Sequence, residues 1–165
     1  MLGPVDVLRA GASSGSLPRR QRALLARLII ARGRVVDFDA LAACVWRDEE
    51  GPGDLRGALY TVVSRVRALL GDGLVTEPAG YALRLPGDAV DAWEFEDGLR
   101  AARAAGGRAA LADYDRLLSH WRGRAYDEFA DGFAAAESAR LEELRRRAVR
   151  ERLGLLADGP GAAER

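Results

Sequence analysis

Between Leu55 and Leu85 the hydrophobic period of the chain changes once, and that change restricts the fold more than any other feature. Leu55, Leu59, Val62, Val66 and Leu69 recur at helical spacing and form one continuous stripe. Gly71 ends the stripe. Leu74-Val75-Thr76 and Tyr81-Ala82-Leu83-Arg84-Leu85 then alternate around Pro78 and Gly80, which predicts a β-hairpin over 74–85. A helix over 54–70 therefore runs straight into a hairpin. At about 100° per residue, the arc opposite the stripe centres on Ser64. Gly57, Tyr60, Thr61 and Ala68 lie beside it, with Arg56, Arg65 and Arg67 on its flanks.

Upstream, Leu2, Val5, Val7 and Leu8 alternate weakly and predict a short strand or two, ending at Gly11 and Gly15. Ser13, Ser14 and Gly15 suit a turn. Ser16 is a candidate N-cap and Pro18 suits a first helical turn. Leu24, Leu25, Leu28 and Ile29 give a helix that Gly33 stops. Arg34-Val35-Val36 reads as an extended link, and Asp37 caps a second helix with Leu41, Val45 and Trp46 on its apolar side. Residues 47–53 form a turn-rich acidic loop containing Asp48, Glu49 and Glu50.

Pro86-Gly87-Asp88 marks a domain boundary, and everything beyond it reads as helical. The expected helices are 91–105, with Phe95, Leu99 and Ala102 inward; 108–121, with Leu111, Tyr114, Leu117, Leu118 and Trp121; and about 133–157. Tyr126, Phe129 and Gly132 lie in the loop before the last helix. That helix is expected to carry Glu142–Arg146 and Glu143–Arg147 pairs in the favourable order. Helix pairs of this length resemble tetratricopeptide units, without a strict repeat. The expected class is thus mainly α with a small β component: a winged helix-turn-helix domain, 1–87, followed by a tetratricopeptide-like helical domain, 88–165.

The 165 residues suit one large domain or two small ones. All 25 basic residues are Arg, with no Lys or Asn anywhere, which points to a very GC-rich genome. The net charge of zero divides unevenly. Residues 1–87 hold 12 Arg against 9 acids, and residues 88–165 hold 13 Arg against 16. A mildly basic winged helix joined to a mildly acidic helical domain suits a DNA reader with a protein-binding partner domain.

No apolar run is long enough to span a membrane, and no signal-peptide pattern opens the chain. One cysteine and one histidine exclude a disulfide framework and an ordinary zinc site. No phosphate loop or acid–base constellation is visible. A cytoplasmic protein with a non-enzymatic role and no cofactor is expected. Trp46, Trp93 and Trp121 read as packing residues. Tyr81 is expected to pack the hairpin onto the body, and His120 to lie near a helix end. Cys44 is expected to be a small buried apolar residue.

The order strand, three helices, hairpin is the winged-helix plan, in which the third helix enters the major groove. Particular words strengthen it. Leu2-Gly3-Pro4-Val5-Asp6-Val7, Pro18-Arg19-Arg20-Gln21-Arg22-Ala23-Leu24-Leu25 and Gly33-Arg34-Val35-Val36 are three. Residues 41–46, Ser64-Arg65-Val66-Arg67-Ala68-Leu69-Leu70-Gly71 and Gly80-Tyr81-Ala82-Leu83 follow in the same order. In the second half come Asp91-Ala92-Trp93-Glu94-Phe95, Trp121-Arg122-Gly123 and Glu137-Ser138-Ala139-Arg140-Leu141-Glu142-Glu143-Leu144. Together they resemble the Streptomyces antibiotic regulatory proteins. Members of that actinobacterial family carry an OmpR-type winged helix followed by a bacterial transcriptional activator domain, here expected in shortened form.

The resemblance implies a sequence-specific transcription activator that binds promoter direct repeats as a homodimer or heterodimer and contacts RNA polymerase. The recognition helix would be 54–70 and the wing 74–85. The DNA-contacting residues would be Arg56, Tyr60, Thr61, Ser64, Arg65, Arg67, Thr76 and Arg84, with Arg19 and Arg20 as further phosphate contacts. Arg65 stands where the fold places a base-reading arginine. Asp48, Glu49 and Glu50 would form the polymerase-contact loop. Plain solvated helix surface is the competing reading of Arg65 and Arg67.

The chain departs from the family pattern at several points. It opens several residues late and has Gly57, Tyr60 and Val63 where relatives often carry Asn, Gln and Tyr. Glu77 and Ala82 stand where a basic residue is common, and Glu77 would repel phosphate. These departures define a second expectation: a degenerate member with weak or no DNA binding, acting as a protein-interaction module or heterodimer partner.

Overall fold

The computed structural model describes residues 1–9, 12–13, 17–47 and 50–157. They fall into two units. One comprises Val5–Leu85 with Asp131–Ala134; the other comprises Met1–Pro4, Pro86–Ala130 and the described chain from Ala135 on.

The first unit opens with two short antiparallel strands, β1 (Leu8–Arg9) and β2 (Ala12–Ser13). Three helices follow: α1 (Arg19–Ala31), α2 (Phe38–Val45) and α3 (Leu55–Leu70). A three-stranded antiparallel sheet of β3 (Val36–Asp37), β4 (Leu74–Glu77) and β5 (Gly80–Leu83) completes it, in the order β3-β5-β4. The core draws on every one of these helices and on the sheet. Leu24, Leu25, Leu28, Leu41, Val45, Leu59, Val63, Val66, Leu74, Ala82 and Leu83 are all buried.

Helix starts follow local chemistry. Asp37 caps α2, its carboxylate accepting from the Ala40 amide at 2.8 Å, and Asp54 caps α3 by accepting from the Gly57 amide at 2.9 Å. Asp37 also pairs with Gly80 in the sheet. A side chain at Gly80 would overlap the Val36 carbonyl oxygen, so the approach of β3 to β5 requires glycine there. The expected cap of α1, Ser16, lies outside the described residues, as do Gly11, Ser14 and Gly15. The helix begins after Pro18 without a side-chain cap.

The apolar stripe of α3 differs from the periodic reading at three positions. Leu59, Val62 and Val66 are buried as expected, but Leu55 and Leu69 at the helix ends are only half-buried, and Val63 is fully buried. Val63 is one residue from the stripe centre, inside the broad apolar arc of a core-facing helix. It therefore belongs to the core and not to the outward face.

The second unit contains α4 (Asp91–Ala105), α5 (Ala110–Ser119) and α6 (Ala135–Ala157), with α4 packed on α5 and α5 on α6. α5 and α6 are shorter than expected at their ends, by residues that form turns instead. Phe95 meets Trp121 edge to face at 5.3 Å. A side chain at Gly98 would collide with Leu117, which shows how closely α4 and α5 approach. Glu151 on α6 accepts from Arg103 of α4 at 2.9 Å, Tyr114 of α5 at 3.0 Å and Arg147 at 2.8 Å.

Two expectations change here. Leu2 is not in a strand. It is fully buried in the helical unit, its amide donating to Asp91 at 3.0 Å and its carbonyl accepting from Arg122 at 2.8 Å. The charge pairs on α6 also differ. Glu142 accepts from the Ala125 amide at 3.1 Å, Glu143 takes Arg146 and Arg150, and Glu151 takes Arg147. A loop amide and other partners along α6 itself thus displace the expected Glu142–Arg146 and Glu143–Arg147 pairs.

Candidate nucleic-acid interface

The outward face of α3 is set by the burial of the opposite side. With Leu59, Val62, Val63 and Val66 inward, Arg56, Tyr60, Thr61, Ser64, Arg65 and Ala68 are exposed on the same helix. Tyr60 is 63% exposed, unusual for an aromatic ring in a packed unit. The Thr61 hydroxyl donates back to the Gly57 carbonyl at 3.0 Å, which fixes it against the helix. Arg65 has no hydrogen bond or ion pair among the described residues. The exposed arc thus presents an aromatic ring, two small hydroxyl residues and an uncommitted guanidinium, with little bulk to hold a groove away.

The remaining arginines are already engaged. Arg56 lies over the Phe38 ring at 4.7 Å. Arg67 is half-buried. Its Nε donates to the Leu74 carbonyl at 3.2 Å and a terminal nitrogen to Thr76 Oγ1 at 2.7 Å. This bond pair ties the recognition-helix candidate to the first wing strand, so Arg67 and Thr76 hold the wing. Arg84 pairs with Glu77 at 2.5 Å across the hairpin. Glu77 consequently does not stand bare toward a phosphate; it neutralises the cation that would bind one.

Ala82 is fully buried, and the register pairs it with Val75. A basic residue there would point into the unit, so its absence says nothing about the wing's outer surface. Glu50 is exposed, while Asp48 and Glu49 lie outside the described residues. Trp46 is buried and packs, with Arg20 5.7 Å over its ring. Cys44 is buried, and burial pushes its thiol up from the usual range although Arg27 beside it acts the other way. His120 caps the end of α5 with Nδ1 3.7 Å from Glu94. Among the described residues no group of His, Cys, Asp or Glu is placed to hold a metal ion, and no helix is long and apolar enough to cross a membrane.

Sequence periodicity located the face but missed the internal commitments of Arg67 and Arg84. Both partners, Thr76 and Glu77, come from β4, which only the folded unit brings to these two side chains. A basic cleft beside Arg65, lined also by Arg19, Arg20 and Trp46, was likewise not visible in the sequence.

Known proteins place this arrangement. AfsR of Streptomyces griseus, a regulatory protein, is 34% identical over 160 residues, which is 94% of this chain and 16% of AfsR. EmbR of Mycobacterium tuberculosis, a transcriptional regulatory protein, is 33% identical over 142 residues, 79% of this chain and 36% of EmbR. The chain belongs to the Streptomyces antibiotic regulatory protein family. A solved structure of M. tuberculosis EmbR in complex with a low-affinity phosphopeptide matches with a TM-score of 0.75 at 31% identity, covering 89% of this chain and 42% of that one. The winged helix-turn-helix and tetratricopeptide-like helices of this chain are those of that family's fold. The chain spans well under half the length of each of these relatives. No family model matches it.

Proposed function

We propose that this chain is a sequence-specific DNA-binding transcription regulator that reads the major groove through α3 and braces the wing against the same duplex. Arg65 carries the reading: it is exposed on the outward face of a helix whose other side is locked into the core, and it has no hydrogen bond or ion pair among the described residues. An arginine so placed matches the bidentate edge of guanine. Tyr60, Thr61 and Ser64 surround it, and the Arg67–Thr76 bond holds the wing beside it. The naming of relatives as transcriptional regulatory proteins supports the same role. In this reading the protein works in the cytoplasm as an activator on promoter direct repeats. It acts as a dimer, with the helical unit as partner surface and residues 47–53 as the contact to RNA polymerase.

The test is a binding isotherm against a selected duplex and a scrambled one. Arg65→Ala is expected to lose about 1–3 kcal/mol on the selected site and to flatten the preference between the two. Unchanged preference would remove Arg65 from base reading.

A second reading has its own observation. Glu77 neutralises Arg84, and Arg67 is spent on the wing, so the surface has few cations left for phosphate. A protein-interaction module or heterodimer partner with weak DNA binding fits that economy of charge. Undetectable duplex binding at about 50 mM salt, where electrostatic attraction is strong, would favour it.

A further inference from the structure

Toward its end, α6 carries an exposed apolar face. Val149, Leu153 and Leu156 are 39%, 54% and 50% exposed. Their i, i+4, i+7 spacing sets them in one stripe. The core side of the same helix is distinct: Leu141 and Ala148 are buried, and at about 100° per residue they point roughly a quarter-turn away from the stripe. Leu8, Val35 and Tyr60, the other strongly exposed large apolar side chains among the described residues, all belong to the winged unit. Scattered apolar side chains are ordinary on a surface, but three aligned on one helix form a contact face.

Arginine lines both edges of this stripe. Arg146 and Arg150 follow one edge, and Arg145 and Arg152 the other. Arg146 and Arg150 both draw on the single carboxylate of Glu143, at 2.9 and 3.2 Å. That edge therefore keeps one positive charge in excess. On the opposite edge Arg145 lies 4.8 Å over the Trp121 ring with Glu142 at 3.8 Å, and Arg152 holds Asp115 at 2.5 Å. A second copy of α6 laid along the stripe, parallel or antiparallel, would set an arginine edge against an arginine edge. Like charges in register oppose that pairing.

We propose that this stripe seats an amphipathic helix of another protein, one with its own apolar stripe and with carboxylates along its edges. The proposal rests on the reading of the helical unit as a partner surface and is independent of DNA contact by α3. Val149, Leu153 and Leu156 supply the anchors of a helix-on-helix contact. The arginine edges select the occupant: a Glu or Asp neutralises the excess charge, whereas a Lys or Arg adds to it. Exposed charge pairs add little affinity, so the stripe sets the strength of binding and the edges set the choice of partner.

The test uses the whole chain and a synthetic helical peptide with leucines at the same spacing and glutamates on both edges. A control peptide carries lysine at each glutamate position. Fluorescence anisotropy should show binding of the glutamate peptide, preferred over the lysine peptide by about tenfold or more. Leu153→Gln should remove most of that binding. Arg150→Glu keeps the stripe and should reverse the preference. Both positions are exposed, so melting should match wild type.

Equal binding of the two peptides, or no binding of the glutamate peptide, would overturn the proposal. A homodimer in sedimentation that Leu153→Gln dissociates would also overturn it, placing a second copy on the stripe. Binding to anionic phospholipid vesicles that Leu153→Gln abolishes would do the same, making α6 a membrane-surface helix. If both variants bind the glutamate peptide as wild type does, the stripe falls while the helical unit remains a partner surface. Leu153→Gln should leave duplex affinity and sequence preference unchanged. Failure of DNA recognition at Arg65 with intact peptide binding would remove the DNA-binding reading alone.

Discussion

In the helical unit Arg103, Arg116, Arg140 and Arg152 each meet a carboxylate on a different helix, at 2.5–2.9 Å. In the winged unit Arg65 meets none among the described residues, and Arg67 is turned onto a carbonyl and a hydroxyl of β4. The same residue type thus has two uses. Between α4, α5 and α6 it cross-links a small bundle, and on α3 it is held in reserve. Arg140 shows the first use most fully: the hydrogen bonds it donates to Glu137 and Glu96 keep its pKa well above the usual value. An exposed pair is worth roughly 0–1 kcal/mol, so each cross-link is modest and their number matters.

This comparison can be broken most forcefully through the platform under α3. Leu59 is fully buried on the inward side of that helix. Leu59→Ala is expected to cost about 2–5 kcal/mol of stability in the winged unit, read by chemical denaturation, and to reduce DNA binding with it. Next comes the direct contrast of two arginines. Arg65→Ala should leave stability within about 0.5 kcal/mol of wild type while damaging DNA recognition. Arg140→Ala should lower stability by up to about 1 kcal/mol with DNA affinity unchanged. Equal effects of both on melting would end the distinction.

The wing offers a smaller test. Glu77→Gln frees Arg84 without changing the size of the side chain. Duplex affinity should rise, with a salt slope steeper by about 0.9 if Arg84 then takes a phosphate. A duplex affinity and slope identical to wild type would show that Arg84 lies away from DNA.

The smallest expected effect is on pH dependence. Burial works to raise the Glu151 pKa, but hydrogen bonds from Arg103, Arg147 and Tyr114 prevail and hold it below its ordinary 4.5. The folded form therefore binds this proton less readily than the unfolded chain. Its contribution is fully present above pH 4.5 and is lost as pH falls through the lower folded value. Melting temperature should decline below that pH, and Glu151→Gln should make the decline shallower.

Much of this architecture was legible because periodicity reports burial. The α3 stripe, the hairpin and the Asp37 cap followed from local patterns, and the fold class followed from their order. What escaped was decided by partners far along the chain. Leu2 reads as strand until Asp91 and Arg122 take its amide and carbonyl. Glu142 reads as a partner for Arg146 until a loop amide claims it. The engagement of Arg67 by Thr76 and of Arg84 by Glu77 likewise emerges only once the wing is folded. Val63 shows a milder failure, since a strict stripe underestimates how wide a buried helix face is.

Asp37 belongs at once to strand β3, paired with Gly80, and to the start of α2, where it holds the Ala40 amide. A motion that lifts β5 from β3 therefore loosens the first turn of α2. Proton exchange at the single Ala40 amide becomes a gauge of how often the wing opens. It would be readable in the free protein, without any ligand, and would slow if a bound duplex clamps the hairpin down.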